Sequence, residues 1–144
     1  IEPLDNRKLI STIDVRMAVG IGTKSYTGER ISESNGSAFI YAGEKFDILK
    51  KESVTMGLKS EWQDFDNEIN LYLKLAGTFM DKWSVSSAEL IEVVLKNPTI
   101  TQQEIGSLLG IKQSGVSGRW HRANVDELLA VERMYRNKIK TLLR

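Results

Sequence analysis

The stretch Thr101–Ala123, TQQEIGSLLGIKQSGVSGRWHRA, constrains the fold of this chain more than any other. Thr101 followed three residues later by Glu104 is a capping box, which opens a helix by satisfying its first free amides reciprocally. Ile105, Leu108 and Leu109 give that helix one apolar stripe. Gly110 can take the left-handed conformation that ends it. A second helix is predicted at about 113–123, with Val116 plugging the corner between the two. Helices that cross steeply need a residue without a side chain where they touch. Gly106 is placed for that role, and a side chain there is expected to strike the second helix. This is the layout of a helix-turn-helix, whose second helix lies in the DNA major groove. Trp120 shares the face of Val116 and is expected in the core. Ser86–Leu95 supplies the third helix that such a pair needs behind it. Ser86 and Glu89 are predicted to form its capping box, and Asn97-Pro98 to stop it.

Composition narrows the function classes. The 144 residues suffice for one ordinary domain or two small ones, with the charged and apolar fractions of a globular protein. With no cysteine and a single histidine, His121, neither a disulfide framework nor a thiolate or histidine metal site is expected. No apolar run is long enough to span a membrane and no signal peptide is visible, so the expected location is the cytoplasm. The opening IEPLDNRKLI lacks an initiating Met and is read as the interior of a longer chain. Net charge is only +1, but it is uneven: residues 1–80 carry 10 basic and 12 acidic side chains, residues 81–144 carry 10 and 7. Between Ile105 and Val125 lie Lys112, Arg119 and Arg122 and no acid, a modest basic face of the kind that meets phosphates or is simply solvated.

The rest of the chain reads more coarsely. Ile13–Ile21 alternates and is rich in β-branched residues, which predicts a strand. Gly22–Glu29 and Ser32–Gly36 read as loops, about Gly36–Lys51 as a helix, and Ser53–Leu58 as a short strand. Gly20–Ser25, GIGTKS, is not a phosphate loop, because Thr23 stands where that pattern needs Gly before Lys24. Trp62, Phe65, Ile69, Tyr72, Leu73, Ala76, Phe79, Met80 and Trp83 trace one face of a helix of about five turns. Asp64, Asp66 and Glu68 near its start are expected to be solvated and to suit the helix dipole. Val125, Leu128, Glu132, Tyr135, Ile139 and Leu142 form a short heptad seam. It packs either on the long helix or across a dimer axis.

Within the helix-turn-helix, Gln113, Ser114, Ser117 and Gly118 are the candidates for base edges, since the N-terminal positions of a recognition helix reach them. Lys112, Arg119, His121 and Arg122 are the candidates for phosphates. So are Thr101, Gln102 and Gln103, through free amides at the start of the preceding helix. Two features run against an optimised motif. Lys112 stands where a Ser or Thr cap belongs, and Gly118 costs its helix roughly 1 kcal/mol relative to Ala. No catalytic set emerges, so no enzyme and no cofactor is expected.

DVRMAVGIG at Asp14–Gly22, YTGERISESNGSAF with its core at Ser32–Phe39, and the Thr101–Ser117 motif together resemble the SatD family of small bacterial proteins. The resemblance spans most of Asp14–Ala123. It implies a front half similar to the ferredoxin-like fold of nucleotide cyclase catalytic domains. Val15–Ile21 matches the strand that cyclases write as arginine-isoleucine-glycine-isoleucine. The Gly-Asp segment that carries the cyclase metal ligand would lie upstream of that strand and is not in this sequence. The resemblance therefore implies a remnant or fragment of a sensing-type domain and does not imply catalysis.

The resulting expectation is an α+β protein in three parts. Residues 1–58 form a small β-containing, truncated ferredoxin-like part, and residues 59–84 a connecting helix. Residues 85–144 form a tri-helical helix-turn-helix domain with an extended last helix. Its expected role is transcriptional regulation, with double-stranded DNA and a second copy of the chain as partners and no membrane. The competing expectation is a protein-interaction module or non-catalytic sensing fragment whose helix-turn-helix does not bind DNA.

Overall fold

A computed structural model describes residues 15–23 and 36–144. The expectations for Ile1–Ser11, for the start of the strand at Ile13, and for most of the two loops before Gly36 lie outside these residues. The architecture is α+β, mostly helical, with two strands among the described residues. The elements are β1 (Met17–Gly20), α1 (Ser37–Lys51), β2 (Met56–Lys59), α2 (Gln63–Met80), α3 (Val85–Lys96), α4 (Gln102–Leu109), α5 (Gln113–Arg122) and α6 (Val125–Leu142). The chain forms two compact units, Ile1–Asp66 and Asn67–Arg144, and the division falls in the first turns of α2.

In the first unit, β1 and β2 pair in parallel and directly, Ala18 opposite Gly57 and Gly20 opposite Lys59, with α1 connecting them. The face toward α1 is built of small residues. A Cβ on Gly20 would sit 2.0 Å from the Ala38 carbonyl oxygen and 2.6 Å from the Ala42 amide nitrogen. Gly57 lies under the stem of Lys45 and the Leu49 methyls. The helix backbone therefore rests on the strand backbone, and the small residues Ala38 and Ala42 let it do so. Leu49 is fully buried at this contact, and Leu58, which points to the other face of β2, is buried as well. An ion pair between Lys59 and Glu44 and the basic Lys50 and Lys51 at the C-terminal end of α1 complete the unit's electrostatics.

The start of α2 corrects one expectation. Asp66 is buried, not solvated: its carboxylate accepts from the Ser60 amide at 2.8 Å and the Ser60 hydroxyl at 2.6 Å. The Ser60 hydroxyl in turn accepts from the Trp62 amide at 3.1 Å. A buried carboxylate that takes two donors closes the turn between β2 and α2.

In the second unit, Leu90, Ile91, Val94, Ile105, Val116, Ala123 and Val125 form one core, with Trp83, Trp120, Leu128 and Leu129 packed against it. The long apolar face expected along α2 is turned inward, with Ile69 and Ala76 buried. Helices α2 and α6 run antiparallel. The Trp83 indole donates to the Ala123 carbonyl at 2.8 Å at one end, and Lys138 pairs with Glu68 at 2.6 Å at the other. Of the heptad seam Val125 is buried, and Leu128, Tyr135, Ile139 and Leu142 are half-buried within the chain.

Glu68 is half-buried and paired. Its carboxylate accepts from Lys138 and, at 2.7 Å, from the Tyr72 hydroxyl. Bonding first to Lys138 and then to Tyr72 holds it below its ordinary value of 4.5. A carboxylate depressed on folding contributes stability that is present above its unfolded pKa and is lost as pH falls through the folded one. Glu104, held down by Thr101, and Glu92, held down by Lys96, act in the same window. The stability difference between the native chain and Glu68→Gln is expected to shrink steadily as pH drops below about 4.5, as read from denaturation midpoints. A difference that stays constant down to the acid transition would show that the pair contributes nothing.

Candidate nucleic-acid interface

Each helix around the candidate interface is set by local chemistry. Helix α3 begins at Val85, capped by Ser84, whose hydroxyl accepts from the Ser87 amide at 3.2 Å. The predicted cap at Ser86 was two residues late. Ser86 already lies in the first turn, and Glu89 is turned toward Arg119 instead of back to the cap. The helix ends at Lys96 with Asn97 as its C-cap, where Pro98 forbids continuation.

Helix α4 opens with the complete capping box. The Glu104 amide donates to the Thr101 hydroxyl at 3.2 Å, and the Thr101 amide donates to the Glu104 carboxylate at 2.7 Å. It ends at Gly110 in the left-handed conformation, φ 67°. The turn that follows is tight, with the Ile111 amide donating to the Gly106 carbonyl at 3.0 Å. Gly106 is buried, and a Cβ there would lie 2.7 Å from the Ile111 carbonyl oxygen. The obstacle is thus the backbone of the turn itself, while the second helix, at Val116 and Gln113, stands at ordinary contact distance of 3.6–3.7 Å.

Helix α5 buries Val116 completely and keeps Trp120 half-buried, its indole donating to Asp126 at 2.9 Å. Lys112 occupies the N-cap without a side-chain bond, so the first amides of α5 are left without a side-chain acceptor and no acid lies in the first turn. That end carries the positive pole of the helix dipole.

The candidate residues separate into two groups. Gln113, Ser114, His121 and Arg122 are exposed, and Ser117 and Gly118 are half-buried beside them. Spacings of three and four residues from Ser114 through Ser117 and Gly118 to His121 and Arg122 make them one face of α5, opposite Val116. The Arg122 guanidinium folds back over Gly118, Nη1 standing 3.1 Å from where a Cβ would be. Gly118 is therefore the seat of an arginine, which accounts for a residue otherwise unfavourable in a helix.

Arg119 stands apart from this face. It is only 22% exposed and turns to Glu89 of α3, 3.8 Å away. Its spacing from Val116 placed it nearer the core side, a signal outweighed in the sequence by its charge. Thr101 is also spent internally: its amide and hydroxyl both belong to the capping box, which leaves Gln102 and Gln103 to offer the free amides of that helix end. Among the described residues no group of three or more His, Asp or Glu is arranged to hold a metal ion. None of the helices formed by these residues is long and apolar enough to cross a membrane.

No protein-family model, curated protein or solved structure matches this chain.

Proposed function

We propose that α4 and α5 are a helix-turn-helix and that the chain is a bacterial transcriptional regulator which lays α5 in the DNA major groove. One observation carries this proposal: α5 is locked from behind by Val116, Gly106 and the left-handed Gly110, while its opposite face is open, polar and free of acids. Gln113, Ser114, Ser117 and Gly118 present to base edges, where Gln pairs with adenine through two hydrogen bonds. Lys112, His121 and Arg122, with the amides of Gln102 and Gln103, meet phosphates. Arg119 joins them only if the phosphate draws it from Glu89. A homodimer follows from the same proposal, because one such helix pair covers little DNA and two half-sites raise affinity. Membership of the SatD family is part of the proposal, resting on the Asp14–Gly22, Ser32–Phe39 and Thr101–Ser117 motifs. Its ferredoxin-like corollary rests on Val15–Ile21 alone, and the direct β1–β2 pairing differs from a split βαβ unit, in which another strand lies between.

The test is fluorescence anisotropy against a pool of random duplexes at about 50 and 200 mM salt, followed by sequencing of the bound fraction. Salt-sensitive binding with an enriched motif supports the regulator. Gln113→Ala with Ser117→Ala is expected to relax the preferred motif at one or two positions, each worth about 1–3 kcal/mol of discrimination. Arg122→Ala is expected to weaken all sequences alike and to lower the slope of log affinity against log salt by about 1. Binding untouched by Arg122→Ala removes the phosphate face from the proposal. A second class, a protein-interaction module, is favoured by Leu71 and Leu75 of α2, 53% and 56% exposed on one face. Binding insensitive to salt, or none to DNA at all, would select it.

A further inference from the structure

Helix α6 carries a second charged surface. Arg133 and Lys140 are exposed and, seven residues apart, share one face of the helix, and Arg144, also exposed, stands two residues past its end. Among the described residues none of the three has an ion-pair partner. Nor does any acid occupy a position three or four residues from them in the helix. Their neighbours at those spacings include Arg136, so that Arg133–Arg136, Arg136–Lys140 and Lys140–Arg144 are like-charge contacts. Such contacts destabilise a free helix. Arg136 alone is neutralised locally, by Glu132.

The same face of α6 starts at Asp126, seven residues before Arg133, and Asp126 is held by the Trp120 indole of α5. Arg133 is the first cation on this face, and the Trp120 that holds Asp126 lies on the Val116 side of α5, so the basic residues stand apart from the exposed His121 and Arg122. The opposite, apolar face of α6 is turned inward through Val125, Leu128, Tyr135, Ile139 and Leu142. That leaves no broad apolar surface for the helix to sink into a bilayer, which an interfacial helix requires. Double-stranded DNA, with one negative charge per ~1.7 Å of axis, is the polyanion that matches an unpaired basic strip with no acid from Arg133 onward.

We infer that Arg133, Lys140 and Arg144 form a second phosphate-binding surface, additional to the proposed DNA contact of α5. This rests on the proposed DNA-binding function. The strip adds affinity and salt dependence and carries no sequence information, because it meets phosphates and not base edges. Its removal also relieves like-charge contacts in the free protein.

The experiment compares the native chain with a triple variant, Arg133→Gln, Lys140→Gln and Arg144→Gln, and with the charge-preserving pair Arg133→Lys and Arg144→Lys. Binding to random and selected duplexes is measured by anisotropy across a salt series, and folding by thermal melting. The expected result is a salt slope lower by about 2–3 in the triple variant, since each phosphate contact contributes about 0.9. The selected motif stays the same, the Lys variant behaves as the native chain, and the triple variant melts no lower than the native chain. An unchanged slope in the triple variant, where Arg122→Ala does lower it, overturns this surface and leaves the proposed recognition helix standing. Absence of salt-sensitive DNA binding by the native chain overturns both. Binding to phosphatidylserine vesicles that the triple variant loses while keeping the full DNA slope also overturns it, assigning the strip to a membrane surface.

Discussion

Gly20→Ala is expected to destabilise the first unit by about 3 kcal/mol or more, at the upper end of what overpacking costs. The added methyl would lie 2.0 Å from the Ala38 carbonyl oxygen and 2.6 Å from the Ala42 amide nitrogen. Both are backbone atoms in one helix, so no side-chain rotation relieves the clash. Helix α1 has to lift from β1 as a body, and the buried Leu49 loses close packing with it. Gly43 in the same helix is the control. Nothing lies within 4 Å of a Cβ there, so Gly43→Ala should stabilise by about 1 kcal/mol through helix propensity. Urea denaturation, with amide exchange across α1, measures both. If Gly20→Ala proves as stable as the native chain, the close seating of α1 on β1 is wrong.

Gly106→Ala is expected to cost the second unit about 2–3 kcal/mol and, under the proposed function, to weaken DNA binding beyond what the lost stability explains. The Cβ would stand 2.7 Å from the Ile111 carbonyl, inside the turn that sets the angle between α4 and α5. Relief requires the turn to open, which re-aims α5 and loosens Val116 in its corner. Gly77→Ala serves as the matched control, since a methyl there meets nothing within 4 Å and should add about 1 kcal/mol. Denaturation gives the stability change, and anisotropy under conditions where each variant is fully folded gives the binding change. Destabilisation with unchanged affinity in the folded variant would mean that the α4–α5 angle is unimportant for binding.

The two glycines differ in how far the sequence alone announced them. At Gly106 the obstacle is the Ile111 carbonyl of the turn and not the expected second helix, but the need for a small residue there was legible because Gly110 and Val116 lie within ten residues and their spacing is the signal. Gly20 was not, because Ala38 and Ala42 lie about twenty residues away and nothing in the strand's own pattern marks which face a helix will take. The candidate interface divides the same way. The open line of Ser114, Gly118, His121 and Arg122 follows from helical periodicity. The withdrawal of Arg119 depends on Glu89, thirty residues earlier. The engagement of Thr101 in its own capping box was predicted, yet its consequence for a free amide emerges only when the hydrogen bonds are counted one by one.

The sequence by itself determined the elements whose causes are local: the helix near 36–51, the stop at Asn97-Pro98, the Thr101–Glu104 box, the left-handed Gly110 and the inward face of α2. Each depends on bonds or contacts within one or two turns, where spacing and residue type are sufficient. Only the tertiary structure decided the carboxylates. Asp66 and Glu68 read alike as solvated first-turn acids. One closes a buried turn on Ser60, and the other clamps α2 to α6 through Lys138, seventy residues away. Ser60 is only six residues from Asp66, but it lies before the helix begins, so helical spacing does not pair them. Lys138 is brought to Glu68 by long-range folding, and no local pattern carries that information.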